Sequence, residues 1–444
     1  MPNPRIALVC DWLTTPGGAE KVLLELHRMY PEAPIYTSQY SKKGINWFND
    51  ADVRTGWLQI FPRCLRKILG VLRYFYFSHL DLSDYDIVIS VTGAEAKAVK
   101  TSSEPKKKTL SSYYITHDKK SQYKKAFHLC YCHVPTQYYW QHYDKYMKDP
   151  GFGWLNWFVR IGFKIFVKPM RKADYKASQK PDQFVTISHY AAGEIKKYYH
   201  RDAKVIAPPV DVEKFSTEFS TQKSTEKPQN STELQKLSTR NPQENEQKST
   251  DCTDISTSFP QVFHKKGSKI LPNFEYYVIS CRQVTWKRVD LAISACLATN
   301  KRLIVIGDGS EHQRLVKLAD NSELITFIQW LPATELAVFL QHAKAYIFPS
   351  LEPFGIAPVE ALAAGCPVIA YAEGGSKDFV EPGVNGITFP RQEVKSLSKA
   401  LKDFEQLKFS SKKVAATAKK FSSSKFREAI QTLVKQKGKH ETSR

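Results

Sequence analysis

The sequence predicts an α/β protein made of two parallel-sheet domains. Short apolar runs recur along the chain, among them Arg5 to Cys10, Tyr85 to Ser90, Leu129 to Cys132, Tyr276 to Ser280 and Leu303 to Ile306. They lack the polar alternation of half-exposed strands, as strands covered on both faces do. Most are followed by a turn and then a helical pattern, the order of a strand–helix–strand unit. The 444 residues also exceed what one compact core usually holds.

The first half opens with the strand Arg5 to Cys10. The turn Asp11-Trp12-Leu13-Thr14-Thr15-Pro16-Gly17-Gly18 follows, then a helix from Ala19 to Met29. The turn has the spacing of neither a dinucleotide fingerprint nor a P-loop. It reads equally as a plain tight turn or as a ligand loop against a helix start. Pro34 to Thr37 is a second strand. In Trp57 to Phe77, Cys64, Leu65, Ile68, Leu69, Leu72 and Phe75 recur at helical spacing, with Arg63, Arg66, Lys67 and Arg73 between them. This predicts one basic amphipathic helix, either packed on a core with a solvated face or lying on a membrane.

The strand Leu129 to Cys132 delivers His133 to its carboxyl end, where open α/β sheets bind ligands. A single His there is either satisfied by backbone or reaches a substrate hydroxyl. His117, His128 and His142 are expected to be structural or surface residues. Trp154 to Val167 is apolar and aromatic but carries Arg160 and Lys164, too short and too charged to span a bilayer. It predicts a buried helix or an interfacial one. Gln183 to Ile187 is a strand, Ser188 an N-cap for the helix Tyr190 to Tyr199, and Lys204 to Ala207 the last strand of this half.

Residues 216–265 are rich in Ser, Thr, Gln, Lys, Glu and Asn and bury too little to offset their ordering entropy, so a disordered insertion is expected. Past it, Arg282 and Lys287 stand after the strand Tyr276 to Ser280 and before the helix Val289 to Ala298. Two cations there either pair with a diphosphate or are solvated. The strand Leu303 to Ile306 turns at Gly307-Asp308-Gly309.

Next comes YIFPSLEPFGIAPVEALAAGCPVIAYAEGGSKDFVEPGVNG, from Tyr346 to Gly386. Its first four residues read as a buried strand, Pro358 sits where a first helical turn tolerates it, Gly365 stops the helix, and Pro367 to Tyr371 is the next strand. The loop carries Glu352 and the helix carries Glu360. Gly355 allows close backbone approach, and the helix start offers N–H groups to an anion. A nucleoside diphosphate sugar suits such a site, its hydroxyls donating to the carboxylates. The plain alternative is a helix-dipole partner and a solvated loop acid. Glu373-Gly374-Gly375-Ser376 forms a second Gly-rich turn, Asn385-Gly386 a hairpin-like one, and the tail from Lys395 to Lys437 is helical and basic.

Formal net charge is +21, with 33 cations against 20 acids in residues 1–215 and 32 against 24 in 216–444. Such a balance fits anionic partners: a nucleotide diphosphate, acidic lipid or nucleic acid. No helix-turn-helix, zinc-finger or RNA-binding signature appears, so nucleic acid is not expected as a partner. The eight Cys show no zinc spacing, which fits a reduced cytoplasmic compartment. No secretory signal is expected from the first residues, where a strand runs into Asp11.

The Glu352 to Glu360 segment resembles the E-x7-E stretch of family 4 glycosyltransferases. The resemblance implies the GT-B fold, two Rossmann-like domains with parallel sheets facing a central cleft. It implies an acceptor-side domain over residues 1–212, a donor-binding domain over 270–415, and a last helix, 416–436, crossing back to the first. It implies that Glu352 contacts the transferred sugar, Glu360 the ribose, and Phe354, Gly355 and Ile356 the phosphate and sugar. Gly17 and Gly18 would line the cleft, Arg282 and Lys287 would hold the diphosphate, and Gly307 and Asp308 would lie beside the nucleotide. Cys281 replaces the Gly usual in the family. Tyr131, His133, Pro135, Tyr138 and Trp140 resemble a signature of members that often use GDP-mannose, which puts His133 in the active site.

The expected function is therefore a retaining hexosyl transfer, mannosyl by this resemblance, from a nucleotide sugar to a glycan or lipid-linked acceptor. It is expected to proceed without cofactor or metal, the cations serving the phosphates and no Asp-x-Asp metal motif being expected. Contact with an anionic membrane, at the inner face of the plasma membrane, is the expected location beside the cytoplasm. The rival readings are a nucleotide-sugar epimerase of the same fold and a non-catalytic sugar-nucleotide-binding protein.

Overall fold

The structure is a computed structural model that describes residues 4–62, 69–102, 125–141, 143–148, 156–216 and 274–441. Most of the 216–265 insertion, Lys106 to Lys108, His117, Lys119-Lys120 and His142 lie outside the described residues. Two fully parallel sheets organise the rest. The first has seven strands: β1 (Ile6–Cys10), β2 (Ile35–Thr37), β3 (Val53–Thr55), β4 (Ile87–Thr92), β5 (Phe127–Cys132), β6 (Gln183–Thr186) and β7 (Ala203–Val205). Their order is β3-β2-β1-β4-β5-β6-β7. The second has six: β8 (Tyr277–Ser280), β9 (Leu303–Ile306), β10 (Ile325–Ile328), β11 (Ala345–Phe348), β12 (Val368–Tyr371) and β13 (Gly386–Phe389), ordered β10-β9-β8-β11-β12-β13.

Every residue of β1, β4, β5, β9 and β11 is buried, which is why these strands read as unbroken apolar runs. In each sheet the strand order reverses once, between β1 and β4 and between β8 and β11. Loops leave a parallel sheet in opposite directions at such a point and open a crevice at its carboxyl edge.

The tail forms three helices, Val394–Phe404, Ser411–Ala418 and Ser423–Glu441. The last returns to the first domain. Phe426 meets the Tyr131 ring edge-on at 5.9 Å, and Arg427 pairs with buried Glu25 of α1 (Gly18–Met29). Asn385-Gly386 does not make a hairpin. Asn385 is buried, its amide nitrogen donating to the Phe379 carbonyl at 2.8 Å and to Thr417 at 2.9 Å, and Gly386 enters β13 parallel to β12.

Of the basic helix expected over 57–77, residues 63–68 lie outside the described residues, and the rest is not one continuous helix. A 3-10 turn spans Trp57–Ile60, Pro62 follows and has no N–H for a continuing helix, and α2 covers Gly70–His79. Its faces run against simple amphipathic logic. Phe75 is 57 % exposed, whereas Arg73 is 2 % exposed. Arg73 Nε donates to Glu95 Oε2 at 2.9 Å, its guanidinium lies over the Trp12 ring at 4.8 Å, and Tyr138 Oη donates to Glu95 Oε1. Burial pushes the Glu95 carboxyl upward against the pull of Arg73.

A second buried pair lies beside it. Lys97 Nζ is 2.6 Å from Asp174 Oδ1, and Asp174 also accepts from Thr136, Trp140 and Tyr199. These contacts fasten the loop after β4 and the segment after β5, which leads into α3 (Tyr143–Lys148), to α4 (Asn156–Ser178), so Tyr138 and Trp140 are tethers.

Removing one member of a buried pair leaves a charge without its counterion. Arg73→Ala is expected to cost about 3–5 kcal/mol in urea unfolding. Replacing both partners, Arg73→Met with Glu95→Leu, should recover part of that loss. A double variant as unstable as Arg73→Ala would contradict the pairing.

Candidate functional site

The carboxyl edges of the two sheets face each other across a cavity of about 650 Å³. Gly17, Gly18, Lys21 and His133 line it from the first domain. Cys281, Arg282, Lys287, Ser350, Glu352, Phe354, Gly355, Ile356 and Glu360 line it from the second. Ten of the twelve expected site residues therefore meet in one hollow. The cleft is narrow: a methyl group on Gly18 would come within 3.1 Å of Ile356 Cδ1.

Gly355 starts the helix Ile356–Ala363 with φ +139°, and a Cβ there would lie 2.8 Å from Pro358 and 3.0 Å from Phe348. Only glycine takes that conformation without strain. The first N–H groups of this helix have no carbonyl one turn earlier, so they are oriented to receive an anion. The Gly374-Gly375 turn braces the loop from behind, the Gly375 N–H donating to the Glu352 carbonyl at 2.7 Å.

Lys287 Nζ is 2.6 Å from Glu352 Oε1, which also accepts from Ser350 Oγ at 2.6 Å. Lys21 Nζ, on the opposite domain, is 2.9 Å from Glu360 Oε1. Arg282 is exposed at the rim and forms no ion pair with a described residue. The cavity thus carries two neutralised carboxylate–ammonium pairs and an unpaired guanidinium, a net positive charge suited to a diphosphate.

His133 follows β5, and its N–H donates to the Thr92 carbonyl at 2.9 Å. Its Nε2 is buried with no hydrogen-bond partner among the described residues. Burial pushes its pKa down to about 4, so at neutral pH the ring is uncharged and acts as a hydrogen-bonding group rather than a cation. Burial pushes the Cys281 thiol up to about 12, which keeps it protonated.

Gly307 and Asp308 are not among the lining residues. Gly307 has φ +119°, and a Cβ would sit 2.1 Å from the Cys281 carbonyl. The Gln283 side chain donates to the Gly307 carbonyl at 2.6 Å, and the Gln283 N–H donates to the Asp308 carbonyl at 2.8 Å. This turn shapes the 281–287 loop from outside. Two Asp-x-Asp spacings do occur in the chain, Asp50-Ala51-Asp52 and Asp84-Tyr85-Asp86. They precede β3 and β4, at the sheet edge opposite the cavity, where Asp52 holds Arg54 and Asp86 holds Arg5. Among the described residues no group of three or more His, Cys, Asp or Glu is placed to hold a metal ion.

Lys21 and Ser350 escape sequence reading. Lys21 is one of many cations in the chain, and its partner is 339 residues away. Its only local signal is its place in the first turn after Gly17-Gly18.

Residues 262–421 match the protein family described as Glycosyl transferases group 1. No curated protein matches the chain. The fold resembles that of Anabaena HepE in complex with UDP-glucose, with a TM-score of 0.57, 16 % identity, and coverage of 98 % of this chain and 100 % of that one. It also resembles sucrose-phosphate synthase from Thermosynechococcus elongatus, with a TM-score of 0.61, 14 % identity, and coverage of 98 % and 99 %. A third likeness is to the lipopolysaccharide outer core galactosyltransferase WaaB, with a TM-score of 0.59, 15 % identity, and coverage of 98 % and 99 %. The chain has the GT-B fold expected from its sequence.

The His133 environment yields a pH prediction. Below pH 6.5 the unfolded chain protonates this residue, whereas the folded protein resists until about pH 4, so stability falls as pH drops through that window. His133→Gln should remove about 1.4 kcal/mol per pH unit from that slope. Denaturant unfolding at several pH values checks this, and equal slopes for both proteins would contradict it.

Proposed function

We propose that the chain transfers a hexosyl group from a nucleoside diphosphate sugar to a hydroxyl acceptor, with retention at the anomeric carbon. The observation that supports this best is the convergence of Glu352, Glu360, Arg282, Lys287 and His133 on one interdomain cavity. Two carboxylates there meet three cations, counting Lys21, beside a helix start. The family match over residues 262–421 spans the stretch that supplies Arg282, Lys287, Glu352 and Glu360.

In this reading the donor diphosphate lies between the helix start at Ile356 and the cations Arg282 and Lys287. Glu360 accepts from ribose hydroxyls and Glu352 from the transferred sugar. Trp330, largely exposed while lining the cavity, offers a ring face to the base. The bond between the anomeric carbon and phosphate oxygen breaks, and its electron pair goes to the diphosphate. Lys287 and Arg282 neutralise the charge that develops there, where preorganised donors act most strongly. The acceptor oxygen bonds to the carbon on the face just vacated and passes its proton to the departing phosphate. Neutral His133 donates from Nε2 to a sugar hydroxyl. The cations serve the leaving group without a metal. GDP-mannose is the proposed donor, on the Tyr131 to Trp140 resemblance, and a glycan or lipid-linked alcohol the acceptor.

Incubation with UDP-, GDP- and ADP-hexoses, scoring nucleotide release with and without acceptor alcohols, tests the proposal. Release is expected with GDP-mannose, stimulated by acceptor, and the glycoside should keep the donor's anomeric configuration. Glu352→Gln and Lys287→Ala should each lower kcat by about 100-fold or more with the thermal midpoint little changed. Full turnover in either variant would refute the assignment, and a free epimeric nucleotide sugar as product would favour an epimerase.

A further inference from the structure

One helix of the first domain has no use in the cleft and is poorly covered by the protein. In α4, Trp157, Phe158, Ile161, Ile165 and Phe166 are each between 50 and 66 % exposed. Residues 156–166 contain no buried side chain, although seven of these eleven are apolar or aromatic. The buried residues of the helix are Val167, Met170, Asp174, Ala177 and Ser178, all in its second half. There the Asp174 network with Lys97, Thr136, Trp140 and Tyr199 anchors it firmly. The first half therefore rests Phe163 on Tyr139 and Tyr143 and turns Trp157, Phe158, Ile161, Ile165 and Phe166 to water.

The charge on α4 has one sign. It carries Arg160, Lys164, Lys168, Arg171, Lys172 and Lys176, and its only carboxylate is Asp174, buried and paired with Lys97. At helical spacing Trp157, Ile161 and Ile165 share the outward side with Lys164, Lys168 and Lys172. Exposed apolar residues continue on neighbouring elements, with Val71, Leu72 and Phe75 on α2 and Trp57 and Ile60 on the 3-10 turn that packs against α2. Monomeric proteins rarely leave so much apolar surface uncovered without a partner.

We propose that this face docks on an anionic membrane surface. Trp and Phe side chains enter the boundary between headgroups and acyl chains, while the Lys and Arg stems lie along it and hold their charges among acidic headgroups. Charge decides the occupant. A second copy of the chain would oppose two strongly cationic faces, whereas an acidic lipid surface neutralises them. The helix lies along the surface and does not cross it, since no helix among the described residues is long and apolar enough to span a membrane.

The test is sedimentation of the full chain with two kinds of vesicle: phosphatidylcholine alone, and phosphatidylcholine with phosphatidylglycerol in equal parts. The chain should bind the second at least tenfold more tightly, and high salt should weaken that binding. In one variant Trp157, Phe158, Ile161 and Ile165 all become Ser. In another, Lys164→Glu, Lys168→Glu and Lys172→Glu are combined. Each should lose at least tenfold in vesicle binding with unchanged circular dichroism. The charge variant decides alone if the apolar one fails to fold. Absent binding by the parent protein, equal binding to both vesicles, or parent-like binding by the variants would overturn the proposal. So would a concentration-dependent dimer that the Ser substitutions abolish, with no vesicle binding, which would assign the face to a second copy.

Discussion

The contact between Lys287 and Glu352 governs the cavity. Two groups of opposite charge, both partly withdrawn from water, neutralise one another at 2.6 Å on loops that leave β8 and β11. Lys21 and Glu360 repeat the arrangement across the domain boundary. In each pair the mutual attraction offsets part of the cost of withdrawing a carboxylate and an ammonium from water. In the proposed function each pair also supplies two recognition elements that a ligand with hydroxyls at one end and phosphates at the other would separate. On that reading a ligand lacking either part would leave one charge without a partner, a chemical criterion for selection.

The geometry depends on what lies behind the loops. Asp11, at the end of β1, accepts from Thr92 Oγ1, the Gly93 N–H and the Ala96 N–H, which fixes the turn after β4. The Arg73–Glu95 and Lys97–Asp174 pairs extend that fixation outward to α2 and α4. In the second domain Gly307 lets its turn close on the Cys281 carbonyl, and Gln283 ties the two loops together. Cys281, where the resemblance leads one to expect Gly, is accommodated here, since the close approach is made by its backbone and its side chain is half-buried. Such support holds reactive side chains in register more firmly than the loops could alone.

Much of this was legible in the chain because parallel strands covered on both faces leave a plain mark. Leu303–Ile306 and the helix Val289–Ala298 have the limits their composition implies. The loop around Glu352 was legible because Pro, Gly and the carboxylates sit at fixed offsets from a strand end. The pairings were not. A local pattern sets cations on solvated faces, and Arg73 breaks that rule because its counterion comes from a different loop. Lys21 and Glu360 meet only once the two domains close on each other. Gly307 and Asp308 stand at the right edge of the sheet, yet their backbone contacts direct them at a neighbouring loop. For Trp157 and Ile165 the sequence favoured burial over an interface, and the exposure of both runs the other way, since periodicity describes a helix without saying what covers it.

The account turns on whether a diphosphate takes Lys287 away from Glu352. A crystal structure of the chain with a bound nucleoside diphosphate measures this directly. The ammonium should stand within hydrogen-bond distance of a phosphate oxygen, beside the helix start at Ile356, with the Glu352 carboxylate released toward the sugar position. A nucleotide seated outside the interdomain cavity, or one seated within it while Lys287 keeps its contact with Glu352, would contradict the account.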